Sequence, residues 1–184
     1  MARTESTMQP LGTLAPDFSL PDVVSRRAVK RDDAKGAGGL VVMFLCVHCP
    51  FVKHIEQGVA RFAADYAGKG LGMVAISSND AVTYPDDSPD GMRSQAKRVG
   101  FTFPYLYDES QQVARAYDAA CTPDFFLYNR DLKLVYRGQF DASRPGMSAP
   151  VTGNDLRRAV DALLAGEPPL EEQRPSIGCN IKWK

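Results

Sequence analysis

The sequence predicts a three-layer α/β fold, in which a central mixed β-sheet carries helices on both faces and an N-terminal β extension precedes it. Two continuous apolar runs, residues 40–45 and 71–77, are typical of parallel strands that are buried on both faces. The segment between them has the apolar spacing of a helix, and a crossover of this kind joins parallel strands. Two further apolar runs, DFFLYN and LKLVYRG, flank Arg130-Asp131 and favour an antiparallel hairpin.

Composition limits both the size of the protein and its class. With 184 residues, 44% of them hydrophobic, the chain is expected to form a single domain over residues 1–184. Its 22 basic and 22 acidic side chains cancel, so nucleic acid is not an expected partner. The N-terminus has no apolar stretch typical of a secretory signal, and the longest apolar run is too short to span a membrane. We therefore expect a cytoplasmic protein with no membrane partner.

In the first half of the chain, glycines mark the boundaries between the predicted elements. Residues 1–9 are expected to be disordered, and short strands and loops follow as far as the turn at Lys35–Gly39. After the strand at 40–45, apolar residues recur at helical spacing up to Tyr66. Gly68 and Gly70 end this helix, and the strand at 71–77 follows.

The second half alternates short elements. A polar loop leads to Ser88-Pro89, which is typical of a helix start, and this helix should reach about Val99. A short strand is expected at Tyr105–Tyr107. Asp108 and Gln111 resemble a capping pair for a helix that continues to about Ala119.

The chain ends with a helix and a tail. The helix should run from about Asn154 to Leu164 and end at Gly166. The tail, residues 167–184, contains a strict apolar alternation from Ile177 to Trp183, which predicts a terminal strand with one buried face. This strand would dock on its own domain or on the edge of a second subunit.

The strongest chemical feature is Cys46-Val47-His48-Cys49-Pro50, which lies between a predicted strand and a predicted helix. Free N–H groups and the positive end of the dipole at a helix start favour thiolate over thiol. We therefore predict that the pKa of Cys46 is well below that of free cysteine. Two intervening residues let Cys49 displace a mixed disulfide from Cys46.

Three basic side chains near the two cysteines are candidates for tuning them. An imidazolium at His48 would stabilise the Cys46 thiolate further, and Lys53 and His54 would raise the local positive potential. The alternative is that Lys53 and His54 are ordinary solvated residues on a helix face.

Two other interpretations of the cysteines stay open. The pair is also compatible with a structural role or with zinc, whose remaining ligands would come from Cys121, Cys179 and the two histidines. Cys121 and Cys179 are otherwise either buried packing residues or accessory thiols.

The order of these features resembles the thioredoxin superfamily, in which a strand–CxxC–helix unit is followed by a Thr-Pro dipeptide that enters a hairpin strand. The resemblance implies that Pro123 is a cis-proline packed against the CxxC, and that Thr122 offers its backbone to a substrate's extended chain. The segments APDFSLPD, Cys49-Pro50, the hairpin and PSIGCNIKWK are similar to peroxiredoxin-like proteins of the AhpC/TSA type that carry a thioredoxin-style CxxC. This similarity covers about residues 10–184.

The sequence differs from the peroxiredoxin pattern and from the thioredoxin pattern. With the peroxidatic cysteine of peroxiredoxins aligned on Cys49, their preceding Thr and Pro are replaced by Cys46 and Val42. Their catalytic Arg falls at about Thr122-Pro123, so efficient peroxide reduction is not expected. The strand at 40–45 also lacks the buried Asp of thioredoxins, so the deprotonation of Cys49 needs water or a histidine as base.

The leading hypothesis is a thiol–disulfide oxidoreductase with antioxidant function. Cys46 attacks, Cys49 resolves, and His48 and Pro50 support the pair, while Thr122 and Pro123 guide the substrate. The expected partners are protein or small-molecule thiols and disulfides, and the chain would be a monomer or a homodimer. No organic cofactor is expected, because no glycine-rich phosphate loop follows a strand.

Two alternatives remain. The first is a thiol peroxidase, in which Cys49 reacts with peroxide to form a sulfenic acid that Cys46 or Cys179 resolves. The second is a metal-binding or metal-delivery protein that uses the same thiolates.

Overall fold

The computed structural model describes residues 3–184. In chain order its elements are β1 (Arg3–Glu5), β2 (Ser19–Pro21), β3 (Ala28–Lys30), α1 (Arg31–Ala34), β4 (Gly39–Phe44), α2 (Pro50–Tyr66), β5 (Leu71–Ser77), a 3-10 turn (Pro85–Asp87), α3 (Pro89–Val99), β6 (Tyr105–Tyr107), α4 (Gln112–Ala116), β7 (Cys121–Thr122), β8 (Asp124–Asn129), β9 (Leu134–Gly138), α5 (Asn154–Leu164) and β10 (Ile177–Asn180).

The central sheet has five strands in the order β6–β5–β4–β8–β9. β4, β5 and β6 run parallel, whereas β8 is antiparallel to both β4 and β9. The predicted mixed sheet and its hairpin are therefore confirmed. β2 and β3 form a separate two-stranded ribbon, which is the expected N-terminal β extension.

Strand β4 separates two hydrophobic cores because its side chains alternate between the faces of the sheet. Val41 and Met43 belong to the core that α2, α3 and α5 complete. Val42 and Phe44 belong to the core on the opposite face, to which α4 contributes. Every residue of β4 is buried, as expected for a strand covered on both sides. The three-layer arrangement is confirmed.

Local sequence signals placed several boundaries correctly. β5 and α5 have the predicted bounds, and α3 begins directly after Ser88. The Ser88 hydroxyl accepts a hydrogen bond from the Gly91 amide at 3.2 Å, and α3 ends at Gly100, whose φ of 83° is in the left-handed region.

The helix predicted to reach Ala119 is shorter and ends at Ala116. The Asp108 carboxylate does accept from the backbone amides of Val113 and Ala114. However, Gln111 has a φ of 65° and turns its side-chain amide to other carbonyls, so the expected reciprocal cap does not form.

Both chain ends differ from expectation. The disorder expected for residues 1–9 is wrong from Arg3 onward, since Arg3–Glu5 pair with Ile177–Cys179 as the edge of a small sheet in the order β1–β10–β7. Residues 1 and 2 lie outside the described residues. The tail strand docks on its own domain and ends at Asn180, not at Trp183. In the described part of the chain, no helix has the length and apolarity needed to cross a membrane.

Candidate redox site

The two cysteines of the CxxC lie between the end of β4 and the start of α2. Because Pro50 is the first residue of α2, Cys49 is its N-cap and Cys46 lies three residues further upstream. Both side chains have no exposed surface, and both thiols are free. The expectation that the sulfurs lie where the sheet passes into a helix is met, but they are covered.

Thr122 contacts both sulfurs. Its hydroxyl lies 3.2 Å from the Cys46 sulfur, and its carbonyl oxygen lies 3.3 Å from the Cys49 sulfur. The Thr122–Pro123 peptide bond is cis, in agreement with the family resemblance. The structure thus brings together four of the residues selected from the sequence: Cys46, Cys49, Thr122 and Pro123.

The two sulfurs of the pair differ in pKa, which is lowered at Cys49 and raised at Cys46. A hydrogen bond from the Cys46 thiol is the largest of the interactions that lower the pKa of Cys49, which falls to about 5 although burial opposes this. The Cys179 thiol and the backbone amides of Val52 and Cys179 act in the same direction. These donors outweigh the Thr122 carbonyl, which favours the neutral thiol.

The prediction of a lowered pKa for Cys46 is wrong. Burial raises the pKa of Cys46 well above its ordinary value, and the hydrogen bond to Cys49 and the charge of Asp87 raise it further. The physical reason is burial, and α2 begins only at Pro50, four residues after Cys46. These directions favour Cys46 as the donor and Cys49 as the thiolate when the pair loses one proton.

A buried carboxylate, Asp87, organises the loop between the cysteines. Its Oδ1 accepts from the amides of Val47 at 2.7 Å and His48 at 3.1 Å. Its Oδ2 is bound to His48 Nδ1 and accepts from Asn79 Nδ2 at 2.9 Å. The imidazole of His48 also stacks on Tyr84, with ring centroids 5.1 Å apart. His48 is thus held against Asp87, on the side of Cys46.

Asp87 was not among the residues selected from the sequence. It is one of two adjacent acids, Asp86 and Asp87, in a polar loop, and only Asp87 is fully buried. Gln95 was also missed. Its side-chain amide donates to the Cys46 carbonyl at 3.2 Å and to Glu56 at 3.1 Å. Neither residue has a sequence signal that separates it from an ordinary surface residue.

The basic residues of α2 do not join the site. His54 Nε2 lies 3.1 Å from the Ser143 hydroxyl, and Lys53 is exposed to solvent. The expected positive potential from these two side chains is therefore not supported, and their alternative interpretation as helix-face residues fits better.

One group of potential metal ligands is found in the described part of the chain. Cys46, His48 and Asp87 place one ligand atom each within 4.8 Å of one another. This group contains Cys46 but not Cys49, so it differs from the expected metal site, in which both cysteines of the CxxC would be ligands. The Asp87 carboxylate already accepts backbone and side-chain hydrogen bonds, which a metal would have to replace. The donor set therefore fits the hydrogen-bonded loop better than a metal ion.

The remaining cysteines have different environments. Cys121 donates to the Pro123 carbonyl at 3.6 Å, and burial strongly raises its pKa. Cys179 is hydrogen-bonded to Cys49, and burial together with this contact raises the pKa of Cys179 to about 12. Of these two thiols, Cys179 is thus the one hydrogen-bonded to the ionised sulfur.

The loop between the two cysteines is the part of the motif that reaches the surface. Val47 and His48 are half-buried, while the cysteines on either side of them are covered. A surface cavity of about 470 Å³ opens beside Val47, between this loop and the Gln95 and Arg98 side chains of α3.

Comparisons with known proteins agree with this architecture. The profile of the AhpC/TSA family matches residues 11–137. The crystal structure of an uncharacterized conserved protein from Geobacillus kaustophilus is 56% identical, with a TM-score of 0.98, and the match covers 100% of this chain and 97% of that one. A Chlorobium tepidum structure, named provisionally as a thiol:disulfide interchange protein DsbE, is 26% identical with a TM-score of 0.66, over 84% of this chain and 98% of that one.

A curated relative is similar over much of its length. It is the thiol-disulfide oxidoreductase ResA of Geobacillus thermodenitrificans, which is 26% identical over 131 residues, or 71% of this chain and 70% of the relative.

Proposed function

Since the chain belongs to the AhpC/TSA family of the thioredoxin superfamily, we propose that it is a thiol–disulfide oxidoreductase whose Cys46 and Cys49 cycle between dithiol and disulfide. The observation that carries the proposal is the placement of two free thiols, Cys46 and Cys49, between β4 and the start of α2, where both contact Thr122. The thiolate is the attacking species in exchange. Relatives named as thiol-disulfide oxidoreductases support the same chemistry.

The pKa directions of the pair support Cys49 as the attacking residue, whereas the sequence favoured Cys46. The Cys49 thiolate attacks a substrate disulfide, forms a mixed disulfide and releases one substrate thiolate. The Cys46 thiol then loses its proton and attacks the Cys49 sulfur. The second substrate thiolate leaves, so that the substrate is reduced by two electrons and the pair becomes a disulfide.

Formation of the mixed disulfide at Cys49 favours the following attack by Cys46. Two of the interactions that raise the pKa of Cys46 are the hydrogen bond to Cys49 and the charge on Cys49. Both are lost when the Cys49 thiolate is consumed in the mixed disulfide. The pKa of Cys46 therefore falls at the step in which Cys46 must attack, and the neighbouring pair His48–Asp87 is placed to receive its proton.

The experiment that tests the proposal is insulin reduction with dithiothreitol. We expect Cys49→Ser to abolish the activity, and Cys46→Ser to lower the rate of insulin reduction because the paired thiol is lost. Cys121→Ser, which removes another buried thiol, is the matched control and should keep wild-type activity. Wild-type activity in the double variant Cys46→Ser/Cys49→Ser would refute the proposal.

A second candidate function is supported by the same thiolate. A sulfur ionised at a helix N-cap is also what a thiol peroxidase needs, with Cys49 as the peroxidatic residue. Peroxide consumption in Cys46→Ser, which keeps Cys49, would support it. If only the disulfide substrate is turned over, the peroxidase hypothesis is eliminated and the first proposal stands. The cytoplasmic location and the oligomeric state stay predictions.

A further inference from the structure

The C-terminal strand brings a third thiol to the redox pair. β10 lies between β1 and β7, with Cys179 opposite Thr122 and Asn180 opposite Cys121. Thr122 is the residue that contacts both sulfurs of the CxxC. The Cys179 side chain is 1% exposed and is hydrogen-bonded to Cys49. Cys49 is therefore hydrogen-bonded to two thiols, Cys46 and Cys179.

The sequence of β10 allows this strand to pack closely against Thr122. A Cβ atom at Gly178 would lie 2.0 Å from the Thr122 carbonyl oxygen, so the backbones fit together only with glycine at this position. On the N-terminal side of β10, the Ser176 hydroxyl is bound to the Pro123 carbonyl. On its C-terminal side, the Lys182 amide donates to Asn79 at 2.9 Å. Cys179 is thus held against Cys49 by contacts on both sides.

We propose that Cys179 is a third redox residue, and that Cys49 forms a disulfide either with Cys46 or with Cys179. This inference rests on the proposed function, which supplies the Cys46–Cys49 disulfide. Cys179 loses its proton and attacks the Cys49 sulfur, and the bond between Cys49 and Cys46 breaks. Cys46 leaves as a thiolate and takes up a proton. One S–S bond forms and one breaks, so the chain neither gains nor loses electrons.

The exchange becomes easier once Cys49 is oxidised. After burial, the interactions that raise the pKa of Cys179 are its hydrogen bond to Cys49 and the charge of Cys49. Both disappear when Cys49 is part of a disulfide. Lys182, by contrast, lowers the pKa of Cys179 in either state. The consequence is a disulfide that can move between the loop before α2 and the C-terminal strand, and that ties β10 to the start of α2 when it bonds Cys179.

The test maps disulfides in the full chain after equilibration in glutathione redox buffer, acid quenching and alkylation. Peptide mass spectrometry of the wild type should detect both a Cys46–Cys49 and a Cys49–Cys179 bond. In Cys46→Ser, the Cys49–Cys179 bond should become the main intramolecular disulfide. Cys121→Ser is the matched control, because it removes a buried thiol of the partner strand β7, and it should leave the wild-type pattern unchanged.

The outcomes separate this inference from the proposed function. If neither the wild type nor Cys46→Ser contains a Cys49–Cys179 bond, the inference is refuted, whether or not the wild type reduces insulin. The wild-type arm gives this answer even if Cys46→Ser does not fold. If the Cys49–Cys179 bond forms but insulin is not reduced, the third thiol is established and the proposed function fails. If Cys49 bonds Cys121 in place of Cys179, the inference is also wrong.

Discussion

Replacing Cys46 by alanine should raise the pKa of Cys49. The pKa of Cys49 falls from 9.0 to about 5, which at about 1.4 kcal/mol for each tenfold change is on the order of 5 kcal/mol in favour of the thiolate. The hydrogen bond from Cys46 is the largest single contribution. Hydrogen bonds to charged groups contribute about 1.5–3 kcal/mol, so its loss should move the pKa of Cys49 to about 6–7.

The measurement is a pH titration of the reduced protein, followed by the ultraviolet absorbance of the thiolate. The other three thiols have raised pKa values, so the step below neutral pH reports Cys49 alone. Cys46→Ser is the matched control, since its hydroxyl can still donate to the thiolate and should keep the pKa of Cys49 near the wild-type value. Cys49→Ser should lack the step.

Two results would contradict this account. One is a low-pH step that survives in Cys49→Ser, which would assign the thiolate to another sulfur. The other is an unchanged midpoint in Cys46→Ala, which would mean that the Cys179 thiol and the amides of Val52 and Cys179 stabilise the charge without Cys46. In that case the proposed coupling between the two catalytic steps would lose its basis.

Three further changes test buried polar contacts by urea unfolding. Asp87→Ala leaves the amides of Val47 and His48 without their acceptor and should lower the free energy of unfolding by on the order of 3 kcal/mol. Asp124→Asn should stabilise the fold above about pH 7 by at most about 4 kcal/mol, because burial raises the pKa of Asp124 from 3.8 to about 7. Ser88→Ala removes the cap of α3 and should lower the free energy of unfolding by about 1 kcal/mol.

The sign for Asp124 follows from its raised pKa. Between about pH 4 and pH 7 the unfolded chain loses this proton before the folded chain does, so the wild type becomes less stable relative to Asp124→Asn as the pH rises. Below about pH 4 the carboxyl is protonated in both states, and the difference should vanish. The asparagine can still accept from the Ser6 hydroxyl, which lies 2.8 Å from Asp124. A stability difference that does not vary with pH would rule out this explanation.

The parts of the fold that local chemistry determines were predictable. Residues 71–77 and 154–164 have a periodicity that admits one secondary structure, and their bounds were found from the sequence alone. The error at α4 arose because the spacing of Asp108 and Gln111 shows that the two side chains could cap a helix. It does not show which hydrogen-bond partners these side chains have in the folded chain. The Gln111 side chain donates to the carbonyls of Ser78 and Lys182, which come close only in the folded chain.

The two cysteines of the site could be predicted from the sequence, but the residues that surround them could not. Asp87 reaches the cysteine loop from about forty residues away, and no local pattern marks which of two adjacent acids turns inward. The disorder expected at the N-terminus had a similar cause, since Arg3–Glu5 gain their order from β10 at the other end of the chain. Such pairings depend on the assembled sheet and not on the propensity of three residues.

The position of each sulfur relative to the start of α2, by contrast, could have been inferred from one residue. Proline is favoured at the first position of a helix, so Pro50 marks Cys49 as the N-cap. The unpaired amides of the first turn then face Cys49, while Cys46 lies upstream, beside the carboxylate of Asp87. The largest contribution to the lowered pKa of Cys49 is still the hydrogen bond from Cys46, and the Val52 amide in the first turn of α2 adds to it.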